Sequence, residues 1–358
     1  MKHICMLLIG LVISSTALAD SQQTRRELAR ELAMHSQTLL PKLANQNYQA
    51  PLQSLLAHKR TARSISSLSQ LSAQANQQAI GKMGLTGEVD SLMQLRLATP
   101  DQQSALSSGV APLVAYIPDG DESQWSSIEA FDRQGNSVLL DVNKAPDRPV
   151  LVVETDAHKA AQAGIRMMNR ALKKEGLSSD SLPPATEPLK TSILSKIRLE
   201  NDEEPWILGD AEIYAIVAGI NPGRDEPVVD IIDMPYLDHD KTVYTPNQIL
   251  IYWDRYRWAA ADLVLMEQDS NTNYKELTKL LVEVLKESLK IAGYPQSAPF
   301  LDLGNRIIDA IPDDWMTNSD DYVDSFYTLE QNRHYQDYSG ARNNAVISLE
   351  PREFAPTH

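Results

Sequence analysis

The sequence predicts an α+β protein: a helical N-terminal region, a small sheet-plus-helix domain, and a C-terminal antiparallel β-sandwich with inserted helices. Three observations predict it. Short β-rich runs recur from residue 190 to 268, separated by Pro, Gly and Asp clusters, as in an antiparallel sandwich. The stretch "YKELTKLLVEVLKESLKIAGY" carries an apolar stripe at helical period. Residues 20 to about 110 are polar, poor in aromatics and helically spaced. A hydrophobic content of 42% and a charged content of 23% are ordinary globular values, which excludes a chain disordered throughout. The 358 residues suffice for two or three domains, at roughly 100–200 residues each.

The elements follow in order. Residues 1–19 read as a secretory signal: Lys2, an apolar run from Ile4 to Ile13, and a small-x-small cleavage site at Ala17-Leu18-Ala19. The run is too short to span a bilayer and no longer one follows, so an exported chain with no membrane anchor is expected, in the periplasm or the medium. Cys5, the only cysteine, lies inside the signal. The mature chain would then lack thiols, disulfides and cysteine metal sites.

Residues 20–109 form the helical region. Leu28, Leu32, Leu39 and Leu40 fall near one face, and Ile65, Leu68, Leu71 and Ile80 near another. Seven Lys or Arg against three Asp or Glu make residues 20–80 net positive. Residues 110–177 read as a small α+β domain, with strands in "APLVAYIPDG", "SSIEAFDRQGNSVLLDV" and "RPVLVVET" and a helix from about Asp156 to Glu175 stopped by Gly176. The Ser/Pro stretch 178–189 is the expected linker.

Residues 190–358 are the predicted sandwich. Its strands are "SILSKIRLE", "AEIYAIVAGI", "PVVDIIDM", "QILIYW", "ADLVLMEQD", "VDSFYTLE" and "NAVISLEP". Helices are expected over the stretch from Tyr274, with Leu277, Leu280, Leu281, Val284 and Leu285 as stripe and Gly293 as stop, and over Leu301–Ile311.

Charge distribution carries the candidate chemistry. The formal net charge of −15 argues against nucleic acid or an anionic membrane as partner and suits a divalent cation. From Leu199 to Tyr274 there are sixteen Asp or Glu against four Lys or Arg, and the acids fall at strand ends. Gathered carboxylates repel, and a calcium ion taking about six to eight oxygens would relieve that. The candidate ligands are Asp202, Glu204, Asp210, Glu212, Glu267, Asp269 and Asn271. The ladder Asp269-x-Asn271-x-Asn273 is not an EF-hand loop. Tyr274 stands where its glycine belongs, and Leu280 where its bidentate glutamate belongs. Asn273 also has a metal-free account as the N-cap of the helix, with Glu276 three residues on. The alternative is a secreted hydrolase using carboxylates of the cluster, Asp238 and Asp240 being candidates around His239. A protein or glycan partner could stack on Tyr252, Trp253, Tyr256 and Trp258, with Arg255 and Arg257 beside them. Asp320, Asp321 and Asp324 are further oxygen donors or plain solubilising charge. Zinc-helix, nucleophile-elbow and phosphate-loop motifs do not occur.

Two resemblances follow. "LVLMEQDSNTN" together with "NDEEPWILGDAE" resembles a C2-type sandwich, which implies calcium held between loops at one end by aspartates from separate strands. The paired Asp-x-Asp of that family is replaced here by Asp202-Glu203-Glu204. Over most of the mature chain, the pattern "EEPWILGDAEIYAIV … DMPYLDHD … YTPNQILIYWDRYRW … EQDSNTNY" resembles a secreted proteobacterial family, domain of unknown function 3103. That resemblance implies no activity.

Overall fold

The structure, a computed structural model, describes residues 21–57, 63–120, 124–178, 186–201, 205–209, 212–223, 226–268, 272–292, 303–310 and 322–356, with side chains throughout except at 63–66 and 289–292. The expected signal, most of the expected linker, and Gly293 lie outside these residues. The described residues fall into two compact units. One lies within Met1–Lys82, Thr86–Asp156 and Glu204–Gly209, the other within Met83–Leu85, Ala157–Glu203 and Asp210–His358.

The first unit opens with helices α1 (residues 21–34) and α2 (Ser36–Ala44). Then come β1 (Gln49–Pro51), α3 (Leu52–Leu56), α4 (Arg63–Lys82), β2 (Met93–Leu97) and α5 (Gln103–Ser107). Strands β3 (Leu113–Tyr116), β4 (Ile128–Phe131), β5 (Ser137–Leu140) and β6 (Val150–Thr155) complete it. They form one six-stranded sheet in the order β1-β2-β6-β3-β4-β5, in which only β3 and β6 run parallel. Leu95, Val114, Phe131, Leu151 and Val153 pack on the helices through Leu28, Leu32, Leu39 and Leu68. Leu113, Ala115, Ala130, Val150 and Val152 share a second cluster with Ile207. A strand buried on both faces reads as a continuous apolar run, which is why "VLVVET" shows no alternation. The leucines of the N-terminal stretch do pack as a helical face, but this stretch also holds β1 and β2.

The second unit begins with α6 (Ala157–Lys174). Gly176 stops it at a φ of 75°, and the amide of Leu177 donates to the Leu172 carbonyl at 2.8 Å. Strands β7 (Leu189–Leu199), β8 (Ile213–Ile220), β9 (Pro227–Asp233), β10 (Gln248–Tyr252) and β11 (Ala260–Glu267) follow. After them come α7 (Tyr274–Ala292), α8 (Leu303–Ala310), β12 (Tyr322–Glu330), β13 (Tyr335–Ser339) and β14 (Ala345–Phe354). Two four-stranded antiparallel sheets result, ordered β10-β7-β14-β13 and β12-β11-β8-β9. Leu194, Ile197, Leu250 and Ile347 from one meet Ala215, Val217, Leu263 and Phe326 from the other in a single core. This is the expected sandwich. The outer face of the second sheet is covered by α6 and α7, which pack on β9 and on each other. All eight residues of β8 are therefore buried.

Candidate functional site at one end of the helix-covered sheet

Strand register decides which acids meet. Tyr214 of β8 pairs with Asp233 of β9 and with Met266 of β11, so the start of β8 and the ends of β9 and β11 lie at one end of the sheet. The amide of Gln268 donates to the Glu212 carbonyl at 2.9 Å and extends the ladder by one step. Side chains alternate across a sheet. Ile213, Ala215 and Val217 face the sandwich core. Glu212, Tyr214 and Gln268 therefore face the helices, and Asp233, opposite Tyr214, faces them too.

The helices complete the group. His158 stands in the first turn of α6, and its Nδ1 lies 3.2 Å from Glu212 Oε2. Gln162 Nε2 lies 2.8 Å from His158 Nε2. Glu212 and Gln162 thus engage both ring nitrogens of His158. From the start of α7, the Tyr274 hydroxyl donates to Gln268 Oε1. Burial, with the charges of Glu212 and Asp233 nearby, raises the Tyr274 phenol well above its usual value. Burial also raises the Asp233 carboxyl, against the opposing pull of His158 and Arg166. The site thus brings together two carboxylates, an imidazole, two amides and two phenols. Its chemistry is that of hard oxygen donors with a histidine at the rim.

The sequence-predicted ligands separate under this register. Asp202, Glu204, Asp210, Asp269 and Asn271 lie outside the described residues. Glu212 belongs to the group just built. Glu267 is buried but pairs with Ile213, and so faces the sandwich core, opposite to Glu212. No group of three or more His, Cys, Asp or Glu placed to hold a metal ion occurs among the described residues. Asp238 accepts from the Tyr244 hydroxyl at 2.6 Å, and Asp240 pairs with Lys241 at 2.6 Å. Sequence reasoning missed His158, which lies 54 residues from Glu212 and carries no motif, and it met Tyr274 only as the residue standing where an EF-hand glycine belongs. Asp233 was visible as a strand-end acid, but its facing was not.

Trp253 is buried, with its indole N–H donating to Ser192 Oγ at 3.0 Å. Tyr256 is buried, with its hydroxyl donating to Asp230 Oδ2 at 2.7 Å. Both are core residues and cannot stack on a partner. Tyr252 is half-buried under the Arg255 guanidinium, 4.4 Å from the ring centre. Trp258 is exposed. Among the described residues, no helix is long and apolar enough to cross a membrane.

Comparison with known proteins places the chain in one group. A family model described as a protein of unknown function (DUF3103) matches residues 21–357. No curated protein and no solved structure matches.

Proposed function

The chain belongs to the DUF3103 family of unknown function, and on that premise we propose that it is an exported binding module stabilised by calcium at the end of its helix-covered sheet. One observation carries this reading: register puts Glu212 and Asp233 on the same face at the same sheet end, with the Asp233 carboxyl raised by burial. A partly buried carboxylate is costly when ionised, and a nearby divalent cation offsets that cost. Asp210 and Asp269 stand within two residues of Glu212 and Gln268 in sequence. The C2-type resemblance of the same two segments points the same way. Export rests on the signal pattern of the first nineteen residues.

The test is a thermal melt of the chain from Asp20 onward, in EDTA and in millimolar calcium. Extracellular modules bind calcium at about 10⁻⁴–10⁻³ M. Calcium at ten times the dissociation constant stabilises by about 1.4 kcal/mol, a rise of roughly 3–6 °C for a unit of this size. Asp233→Asn and Asp269→Asn should each abolish the rise while leaving the EDTA melt unchanged or higher, since each removes a repelling charge. A wild type that melts identically in both solutions would sink the reading.

The hydrolase alternative draws on a separate observation. Glu212 orients His158 as a carboxylate orients a catalytic imidazole. Gln162 occupies the ring nitrogen that such a base would use. We therefore rank binding first.

A further inference from the structure

At the other end of α6 the second unit holds a cleft of about 280 Å³. It is lined by Asn169, Arg170 and Lys173 of α6, by Ser178, by Asp230, Ile231 and Ile232 of β9, and by Tyr252 and Arg255. We propose that this cleft binds a small organic oxyanion, a compact molecule carrying a phosphate or carboxylate group.

The charge balance is the first argument. Three cations converge on the cleft from two separate elements, against one carboxylate, in a chain whose formal net charge is −15. That carboxylate is already engaged: Asp230 accepts from the buried Tyr256 hydroxyl at 2.7 Å and pairs with Arg255 Nη1 at 3.0 Å. Basic residues near a helix C-terminus complement its dipole, which accounts for Lys174 and in part for Lys173. It does not account for Arg255, which arrives from the turn after β10. Arg170 and Lys173, three residues apart on one helix, line the same cleft as Arg255.

The geometry of Arg255 points the same way. Its guanidinium lies over the Tyr252 ring, and its Nε is buried without a hydrogen-bond partner. The stacked, ion-paired group is held in one plane, and a guanidinium has five donors in a fixed fork. Planar recognition of an oxyanion suits such a group.

In the wall opposite, β9 is the edge strand of its sheet. Asn169 Nδ2 donates to the Ile231 carbonyl at 3.0 Å, and the Val229 amide donates to the Leu177 carbonyl at 2.9 Å. The edge is thus partly sealed, which disfavours an added strand and leaves an open cleft lined by Ile231 and Ile232. The volume lies just under the roughly 300–1,000 Å³ usual for ligand clefts and holds about nine waters at roughly 30 Å³ each. It suits a compact molecule with a charged head and a short apolar or sugar-like carrier, not a polymer. This inference stands apart from the calcium site, and its failure leaves that reading untouched.

The experiment is isothermal titration of the whole chain with inorganic phosphate and, separately, with propionate, using chloride at equal ionic strength as the blank. Saturable binding of at least one probe is expected, and the tighter of the two identifies the head group. The double variant Arg170→Gln/Lys173→Gln changes only exposed positions, so it should melt like the wild type. It should bind the probe at least tenfold more weakly, since each cation contributes a charge-assisted hydrogen bond. Arg255→Gln should also weaken binding, but it removes the partner of Asp230, so the exposed pair is the deciding variant. Lys279→Gln, on the exposed side of α7, should leave the affinity unchanged. The proposal is overturned by the absence of saturable binding above chloride, by a double variant that binds as wild type, or by an equal loss in Lys279→Gln.

Discussion

Asp324 shows what a single carboxylate does in this fold. From sequence it stood with Asp320 and Asp321 as an oxygen donor for metal or a solubilising charge. Asp320 and Asp321 lie outside the described residues, and Asp324 is neither of those things. It is fully buried. Its Oδ1 accepts the amides of Ser325 and Arg342, both at 2.8 Å. Its Oδ2 accepts those of Asn344 at 2.9 Å and Ala345 at 2.8 Å. Four amides satisfy the charge and clamp the turn between β13 and β14. Gly340 is required at that turn because a Cβ there would stand 2.2 Å from the Asp324 carboxyl carbon. Asp324→Asn replaces one acceptor oxygen by a donor facing two amides, and should cost about 3 kcal/mol. Gly340→Ala should cost a similar amount, through a clash instead of a lost bond. Urea unfolding of both variants checks this, and a loss below about 1 kcal/mol for Asp324→Asn would refute the clamp. The clamp was illegible beforehand because three of its four amides lie 18 to 21 residues away.

At the scale of elements, local signals were reliable where the chemistry is local. The Glu276 amide donates to Asn273 Oδ1 at 3.2 Å, so Asn273 caps α7 as its spacing predicts. The reciprocal half of a capping box is not made, since the Glu276 carboxylate goes to Lys279 at 2.6 Å. Asn273→Ala should therefore lower stability by about 1 kcal/mol, equally with calcium and with EDTA. A loss seen in only one of the two solutions would mean that Asn273 is a ligand after all. Strand β2, "MQLRL", went unseen for the opposite reason. It lies in the stretch expected to be helical, and its polar Gln94 and Arg96 are both buried. Arg96 forks onto Glu154 of β6, with Nε to Oε1 at 2.6 Å and Nη2 to Oε2 at 2.9 Å, and Gln94 Nε2 donates to Glu154 Oε1 at 3.0 Å. Burial pushes the Glu154 carboxyl up while Arg96 pulls it down. A buried pair of this kind becomes visible only when both strands are in place.

At the scale of the molecule, the first unit is not a continuous piece of chain. Residues 205–209 return to its sheet after β7 has been built into the second unit. Arg96 Nη2 donates to the Ile207 carbonyl at 2.7 Å, the Trp206 indole donates to the Asp141 carbonyl at 3.0 Å, and Ile207 is fully buried. That short return was read from sequence as part of an acidic loop. Ile207→Ala should cost about 2–5 kcal/mol. The loss should appear as reduced hydrogen-exchange protection in β2 and β6, with β8 and β11 unchanged. Protection lost first in β8 and β11 would refute the assignment of this segment.

Sequence alone determined the fold class, the sandwich strands β7 to β12 and β14, the helices α6 and α7, and the Gly176 and Asn273 boundaries. Each of these rests on periodicity or on contacts within a few residues, so the information is written locally. Only the tertiary structure decided which strand-end acids share a face, that His158 stands against Glu212, and that Trp253 and Tyr256 are core. It also brought Arg255 to the same cleft as Arg170 and Lys173. Those outcomes depend on register and on pairings across 26 to 61 residues. A one-residue shift in register turns every side chain of a strand to its other face, and no local pattern records that choice.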